Sequence, residues 1–329
     1  MKTSMIKFIT LGIGFFIFSL ASAQSSNVNM TINMTPANPN PGEQINFTLQ
    51  SFSFDVNRLK ITWLLNGVEK QVGIGLKNYS LTAGTAGQAN TIEVLAEDSS
   101  GNRFSRDISF TPAGVDLIYE PITYTPPFYK GRTLNVNQGD VLVVAFPEIY
   151  DEAGRKYNTH ELSYTWKKDG TIIGSASGLG KNYFFFSGTV PVRDVEIEVI
   201  AVAPNQNITA NKTITIPRGE PKIVFYENSP VFGLMLNRAI KNNVQLFSDE
   251  FSAIAVPYYF SVGYATTPNL SYEWSMNNHT TETQDIKNIY TVRQETKGSG
   301  LANISLKINN IVRIFQLQSE YFNINFTKE

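Results

Sequence analysis

Few side chains in this sequence have the type and spacing that catalysis or metal binding requires. The 329 residues contain two His and no Cys, so thiolate zinc sites, iron–sulfur clusters and cysteine nucleophiles are excluded. His160 precedes Glu161 but lacks the second His of a zinc-protease helix, and His279 lies in a polar segment typical of a turn. The sequence therefore predicts no catalytic residue, no metal ligand and no cofactor, and we expect a protein that is not an enzyme.

Three loops come nearest to a phosphate-binding or metal-binding site. Residues 175–182, SASGLGKN, resemble a phosphate-binding loop, but Ser175 stands where the first Gly belongs and Asn182 where Ser or Thr belongs. Residues 97–102 and 151–154 are rich in the oxygen ligands that Ca²⁺ accepts. The same Asp, Ser, Gly and Asn residues also form turns. We interpret both acidic loops as turns, with calcium binding as the alternative.

Aromatic side chains are the strongest candidates for a ligand-binding surface. Two clusters lie outside alternating strand patterns and consist of Tyr124, Phe128, Tyr129, Tyr258, Tyr259 and Phe260. Exposed rings bind sugars or peptides because they supply a large contact area at little entropic cost; the alternative is packing at a joint between domains. Residues 183–186, YFFF, place rings on both faces of a strand, which indicates an inter-domain or partner contact.

The N-terminus has the pattern of an export signal. Lys2 and Lys7 precede an uncharged, mostly apolar run at residues 8–20, and Ala21 and Ala23 form a small-x-small cleavage site. The alternative is an uncleaved anchor, but a spanning helix needs about 20 apolar residues. We predict a signal peptide at residues 1–23 and no stable membrane insertion after its cleavage.

The three Trp residues mark an internal repeat of about a hundred residues. Trp63, Trp166 and Trp274 are separated by 103 and 108 residues. Asn-Gly and Asp-Gly, which suit a tight hairpin, follow the first two, and the third copy degenerates to Asn-Asn. A Lys-Asn pair recurs 13 to 15 residues after each Trp. We expect the three indole rings to form the structural cores of three equivalent domains, because a large ring fills the space between two sheets.

Short β-rich runs separated by Gly, Pro, Asn and Asp occupy each repeat. Turn signals every 8–12 residues over about a hundred residues are typical of an immunoglobulin-like sandwich. The predicted fold is all-β, with three tandem immunoglobulin-like (PKD-like) antiparallel β-sandwiches after the signal peptide. The predicted sandwiches cover residues 24–113, 114–217 and 218–329, and their short Pro- and Gly-bearing joints favour a semi-rigid rod.

The segments around two of the Trp residues also show a family resemblance. Residues 164–166, YTW, and 272–274, YEW, followed by strand-like runs, resemble bacterial immunoglobulin-like and PKD-like domains. Residues 51–55 and 126–131 are similar to segments of an uncharacterised exported family of candidate-phylum bacteria. The resemblance implies a bacterial source, export and the sandwich fold, but no chemistry.

Composition narrows the partner class. A net charge of −1 argues against nucleic acid as a partner, because nucleic-acid binders carry a basic surplus. We expect a non-enzymatic rod, secreted or on the surface of a bacterial cell envelope, with a structural, spacer or adhesion role and an unknown surface protein or glycan as its partner. The alternative is a carbohydrate- or peptide-binding module that uses the exposed aromatic rings, and a less favoured alternative is an accessory protein of a secreted hydrolase.

Overall fold

The computed structural model describes most of the chain after the predicted export signal. The described residues are 30–151, 153–204, 208–246, 248–281, 285–295 and 298–327. The predicted signal peptide lies outside them and stays a prediction. Within these ranges, no helix is long and apolar enough to cross a membrane.

The chain divides into two compact units. The first contains the described residues up to Asn33 together with Phe47–Tyr79 and Ile92–Ile108. The second contains all the described residues of the second and third predicted sandwiches, together with Met34–Asn46 and Ser80–Thr91. The two units divide the first predicted sandwich between them and do not follow the predicted borders. Those borders therefore stay predictions.

The first seven strands form a three-stranded and a four-stranded sheet. They are β1 (Met30–Thr35), β2 (Gln44–Ser51), β3 (Lys60–Leu65), β4 (Val68–Ile74), β5 (Asn78–Thr82), β6 (Asn90–Glu97) and β7 (Arg103–Phe110). The sheet orders are β1-β2-β5 and β4-β3-β6-β7.

The next eight strands repeat this arrangement. They are β8 (Gly114–Ile122), β9 (Asp140–Glu148), β10 (Ser163–Lys168), β11 (Thr171–Ile172), β12 (Gly178–Leu179), β13 (Tyr183–Ser187), β14 (Val195–Val202) and β15 (Thr209–Ile216). The sheet orders are β8-β9-β13 and β11-β10-β14-β15, with β12 also paired to β10.

The last nine strands carry two additions to the same plan. They are β16 (Lys222–Ser229), β17 (Gly233–Ile240), β18 (Asn243–Leu246), β19 (Glu250–Tyr258), β20 (Leu270–Met276), β21 (His279–Thr280), β22 (Ile289–Arg293), β23 (Ser299–Asn310) and β24 (Leu317–Thr327). The sheet orders are β17-β16-β19-β22 and β18-β24-β23-β20-β21. The added strand β18 runs parallel to β24, a local departure from the antiparallel pattern.

The recurrence of one strand order decides the fold class. In each set one sheet contains three equivalent strands, which are β1, β2 and β5, then β8, β9 and β13, then β16, β19 and β22. In the other sheet, the strand that carries the Trp pairs with the following hairpin strand and with the penultimate strand. Strands form here because apolar and polar residues alternate: Val195, Ile197 and Val199 are buried whereas Glu196 and Glu198 are not. The predicted all-β fold of three tandem immunoglobulin-like sandwiches is confirmed.

The indole rings lie at equivalent places on β3, β10 and β20. Trp63, Trp166 and Trp274 are at most 2% exposed. A second ring packs on each of them at centroid distances of 5.6, 5.8 and 5.0 Å, and these partners are Tyr79, Phe184 and Tyr290. Aromatic side chains thus fill the space between sheets in a chain without disulfides.

The recurring Lys-Asn pair has a backbone role in the second and third sandwiches. The indole N–H of Trp166 donates to the Lys181 carbonyl at 2.9 Å, and that of Trp274 donates to the Lys287 carbonyl at 2.9 Å. In the first sandwich the acceptor of the indole N–H is the carbonyl of Leu76, at 2.7 Å. The Lys-Asn pair of the first repeat therefore stands one residue after the equivalent position. The indole contact tolerates this shift because its acceptor is a backbone carbonyl, which every residue type provides.

The hairpin turns after the Trp strands share one backbone conformation. Asn66 and Gly67 have φ of 51° and 77°, and Asp169 and Gly170 have 49° and 76°. The third turn, which the sequence suggested was degenerate, keeps φ of 49° and 67° at residues 277–278. Asn tolerates the left-handed region, so Asn-Asn replaces Asn-Gly here without changing the turn.

Candidate functional site

The two predicted aromatic clusters meet at a joint between the second and third sandwiches, within the second compact unit. The Tyr124 N–H donates to the Phe260 carbonyl at 2.8 Å, and the Tyr259 N–H donates to the Tyr124 carbonyl at 2.7 Å. This pairing fixes the segment after β8 against the end of β19. The clusters are 130 residues apart in sequence, and the backbone brings them into one place.

Four tyrosine side chains form the centre of this joint. The hydroxyls of Tyr129 and Tyr259 are 2.5 Å apart, and those of Tyr226 and Tyr258 are 2.8 Å apart. The Tyr129 ring packs edge-on against the Tyr258 and Tyr259 rings, with centroids 5.5 and 6.2 Å away. The geometry is that of a packed aromatic core with paired hydroxyls.

Burial keeps the phenols of Tyr124, Tyr258 and Tyr259 neutral near neutral pH. Desolvation raises the pKa of Tyr258 and Tyr259 well above the ordinary tyrosine value, and the hydrogen bonds from Tyr226 and Tyr129 add to the shift. Burial also raises the pKa of Tyr124. Acid–base work near neutral pH needs a group that titrates there, so these hydroxyls serve as neutral hydrogen-bond partners.

The six candidate ligand-binding residues differ sharply in exposure. Phe260 is fully buried, Tyr258 and Tyr259 are buried, and Tyr124 is half-buried. Phe128 is 94% exposed and Tyr129 is 38% exposed. Among these rings, Phe128 and Tyr129 present a sizeable surface to a ligand, and ligand binding at the cluster stays a prediction.

A buried glutamine locks the same joint, and the sequence analysis did not single it out. The Gln316 side chain donates from Nε2 to the Asn137 carbonyl and to Ser261 Oγ, both at 2.7 Å. Its Oε1 accepts from the Ser261 N–H at 2.8 Å and from Asn310 Nδ2 at 3.0 Å. All the polar atoms of this fully buried amide therefore have partners. The sequence around it, with Arg313 and a second amide at Gln318, does not distinguish Gln316 from a surface residue.

Further polar contacts reinforce the joint beside Gln316. Arg313 Nη2 lies 2.7 Å from Asp140 Oδ2 in a partly buried ion pair. The Phe315 N–H donates to Gln138 Oε1 at 3.1 Å. Arg313, Phe315 and Gln138 lie in loops and Asp140 is the first residue of β9. At such positions sequence periodicity gives no warning of a partner 170 or more residues away.

The motifs that resembled catalytic or phosphate sites have structural contacts. Glu161 accepts from the Asn158 N–H at 2.7 Å, which caps a short 3-10 turn and holds the pKa of the carboxyl below its ordinary value. Lys181 Nζ donates to the Ser175 carbonyl at 2.8 Å inside the phosphate-loop look-alike. Both charged groups are engaged in organising their own loops.

The acidic loops use their carboxylates in the same way. Asp98 accepts from the Ser100 and Asn102 N–H groups at 2.8 and 2.9 Å, and hydrogen bonds led by the Asn102 side chain lower its pKa. Asp151 accepts from the Arg155 N–H at 2.8 Å. This is the contact pattern of Asx turns. Among the described residues, no group of three His, Asp or Glu could hold a metal ion.

Comparisons with known proteins find tandem sandwich arrays. No protein-family model and no curated protein matches the chain. It is similar to fibronectin(III)-like modules of Clostridium thermocellum CbhA, at 17% identity over 57% of this chain and 93% of that chain, with a TM-score of 0.29. It is also similar to three N-terminal domains of the bacteriophage RB49 outer capsid protein Hoc, at 12% identity over 92% and 99% of the chains, with a TM-score of 0.26.

A third similar structure is the central fibronectin-III array of RIM-binding protein, at 10% identity over 93% of this chain and 99% of that chain, with a TM-score of 0.27. These low similarities concern the fold alone, and the strand order described above carries the assignment. The described chain is a tandem array of immunoglobulin-like sandwiches.

Proposed function

We propose that the protein is an exported, non-catalytic spacer or adhesion protein that holds its second and third sandwiches in a fixed mutual arrangement. The observation that carries this proposal is the joint, in which paired tyrosine hydroxyls, a fully satisfied buried Gln316 and the Arg313–Asp140 ion pair act together. Loosely tethered domains would not need such contacts, since inter-domain motion is the default for polar, weakly packed interfaces. A spacer needs fixed geometry, whereas an enzyme needs convergent titratable groups.

A distance measurement across the joint tests this proposal. Because the chain contains no Cys, Thr213→Cys and Lys307→Cys accept spin labels at two exposed sites, one in each sandwich. We expect a narrow distance distribution by pulsed electron resonance. Gln316→Ala should broaden it, because removal of the amide leaves the Ser261 and Asn137 groups without their partner.

Gln318→Ala is the matched control, because Gln318 follows Gln316 by two residues, lies in β24 and is only half-buried. It should leave the distribution narrow. A broad distribution in the unaltered chain would contradict a fixed spacer.

Export from a bacterial cell is part of the same proposal. It is supported by the signal-like pattern of residues 1–23 and by a fold that uses no Cys. N-terminal sequencing of material recovered outside the cytoplasm should begin at or near Gln24. A start at Met1 in the membrane fraction would contradict cleavage.

A second candidate function is glycan or peptide binding at the rim of the joint, and the exposure of Phe128 favours it. An aromatic ring that is 94% exposed beside a half-exposed Tyr129 offers stacking surface. Phe128→Ala should then abolish binding in a glycan-array or cell-surface screen without lowering stability. Phe52→Ala is the matched control, because Phe52 is 89% exposed in the first sandwich.

A further inference from the structure

The outward face of the sheet β8-β9-β13 is an apolar surface. Ile118 lies opposite Val144, and Val144 lies opposite Tyr183, so the three side chains form one row across the sheet. In the neighbouring row Leu142 lies opposite Phe185. Ile118, Tyr183 and Phe185 are 61%, 60% and 51% exposed. Exposed apolar side chains of this size, gathered on one face, mark interaction sites.

The other two sandwiches provide an internal comparison for this face. The ring that packs on each Trp fixes the equivalent positions on β5, β13 and β22, and the next residue points outward: Ser80, Phe185 and Thr291 respectively. Ser80 Oγ donates to Asn46 Oδ1 at 2.7 Å, and Thr291 Oγ1 donates to Ser252 Oγ at 3.1 Å. The equivalent face of the first sandwich thus carries a polar pair. In the third sandwich the row Tyr226–Ile254–Ile289 is also apolar, but Tyr226 and Ile254 pack in a hydrophobic cluster of the chain itself. The apolar rows of the second sandwich differ in being exposed.

The chemistry of the rows favours a protein occupant over a glycan. The side chains beside the Tyr183 and Phe185 rings are the aliphatic Val144 and Leu142, which offer no hydrogen-bonding group. A sugar needs polar partners around the ring on which it stacks, because its hydroxyls lose water on binding. Glu120 is the charged member of the second row, and it lies two strands away from Phe185.

The size and charge of the face fit a second copy of the chain. Four large apolar side chains of the face, Ile118, Phe146, Tyr183 and Phe185, are each about half exposed. The face therefore offers about 500 Å² per copy, so two copies would bury about 1,000 Å² in total, the lower limit of a specific interface. The exposed acids Asp116 and Glu120 lie on β8, whereas β13 carries no charge. The two acids of β9 have basic partners, since Glu148 lies 4.0 Å from Lys156 Nζ and Asp140 pairs with Arg313. A twofold axis parallel to the strands sets β13 of one copy over β8 of the other, which keeps the β8 acids of the two copies apart.

We propose that the outward face of β8-β9-β13 is a homodimer interface at which two copies pack sheet against sheet. The sheets would lie about 10 Å apart, as in other face-to-face packings. The inference adds association to the proposed function and does not rest on it, since the joint with the third sandwich involves other side chains. An interface at the low end of the size range of specific complexes is typical of weak association, and we expect a dissociation constant in the micromolar range.

Sedimentation of the whole chain from Gln24 tests the proposal. We expect the chain to pass from monomer to dimer over about 1 to 100 μM. Phe185→Glu and, separately, Ile118→Glu should weaken dimerisation at least about ten-fold, because each buries a charge in the interface and a Glu at position 185 would face Glu120 of the other copy. Ser80→Glu is the matched control at the equivalent position of the first sandwich, and it should dimerise like the unaltered chain.

Two readouts keep the test decisive if a variant is unstable. Circular dichroism and the melting temperature establish that each variant is folded, and hydrogen exchange of the unaltered chain should show protection of β8, β9 and β13 that rises with concentration. A monomer at about 100 μM would overturn the proposal and leave the face to a different protein. Dimerisation that survives both glutamate variants would place the interface elsewhere, and protection independent of concentration would mean that the chain itself covers the face.

Discussion

At the residue scale, Phe128 combines a strained backbone with a ring that lies outside the hydrophobic core. Its φ is 64°, a region that bulky residues rarely adopt, and the side chain is 94% exposed. Such strain persists where something other than stability retains the residue. The exposed ring is therefore a better candidate for recognition than its buried neighbours in the joint.

Replacement of Phe128 by Gly separates strain from packing. We expect Phe128→Gly to leave the free energy of unfolding unchanged or to raise it by up to about 1 kcal/mol, because Gly adopts positive φ freely. Phe52→Gly, at an equally exposed residue without positive φ, should lower it by about 0.5–1 kcal/mol through unfolded-state entropy. Urea titration measures both, and a loss above 2 kcal/mol at Phe128 would mean that the ring packs.

Tyr164 gives a pH-dependent prediction at the same scale. Burial raises the pKa of Tyr164 to about 12, and its hydroxyl donates to the Thr159 carbonyl at 3.0 Å. A pKa that is higher in the folded than in the unfolded chain stabilises below the unfolded value of about 10, and this stabilisation is lost as pH rises toward 12.

We therefore expect the free energy of unfolding to fall between about pH 10 and 12, with a smaller slope in Tyr164→Phe. Denaturant titrations at a series of alkaline pH values measure the slope. Phe52→Leu, at an exposed site, is the control and should keep the original slope. Equal slopes in all three proteins would contradict a raised pKa at Tyr164.

At the scale of secondary structure, alternation and turn chemistry predicted the strands and hairpins well. The Trp strands and the Asn-Gly and Asp-Gly turns follow from local sequence. The joint does not, because the pairing of Tyr124 with Tyr259 and Phe260 depends on how two separate sandwiches meet. Residue spacing identified the aromatic clusters, but it held no information about which rings would be buried or that Gln316 would lie between the loops.

The end of β13 gives an element-scale prediction about close backbone approach. A Cβ added to Gly188 would lie 2.7 Å from the Val136 carbonyl oxygen, and the Gly188 N–H donates to the Gly139 carbonyl at 2.6 Å. Gly188→Ala should lower the free energy of unfolding by about 1–3 kcal/mol through overpacking against backbone. Gly174→Ala is the control, because nothing lies within 4 Å of its added Cβ, and it should stay within about 0.5 kcal/mol. Equal effects in thermal unfolding would contradict the close approach.

At the scale of the whole molecule, the joint implies that the second and third sandwiches share stability. The sequence alone predicts that replacement of one Trp lowers the stability of its own sandwich only. In the structure, Trp166 and Trp274 do pack in separate cores. The tyrosine cluster and Gln316 connect residues of both sandwiches through contacts that exist when both are folded. Unfolding of one therefore removes stabilising contacts from the other, as loss of a bound partner does.

Trp274→Ala in a Trp63→Phe background tests this coupling, because Trp166 is then the sole Trp and its fluorescence reports on the second sandwich. The truncation should cost the third sandwich about 3–5 kcal/mol. With the joint intact, we expect the Trp166 unfolding midpoint to fall as well, whereas in a Gln316→Ala background Trp274→Ala should no longer change it. Gln318→Ala should not have this effect. A Trp166 midpoint that ignores Trp274→Ala would show that the joint holds orientation without transmitting stability.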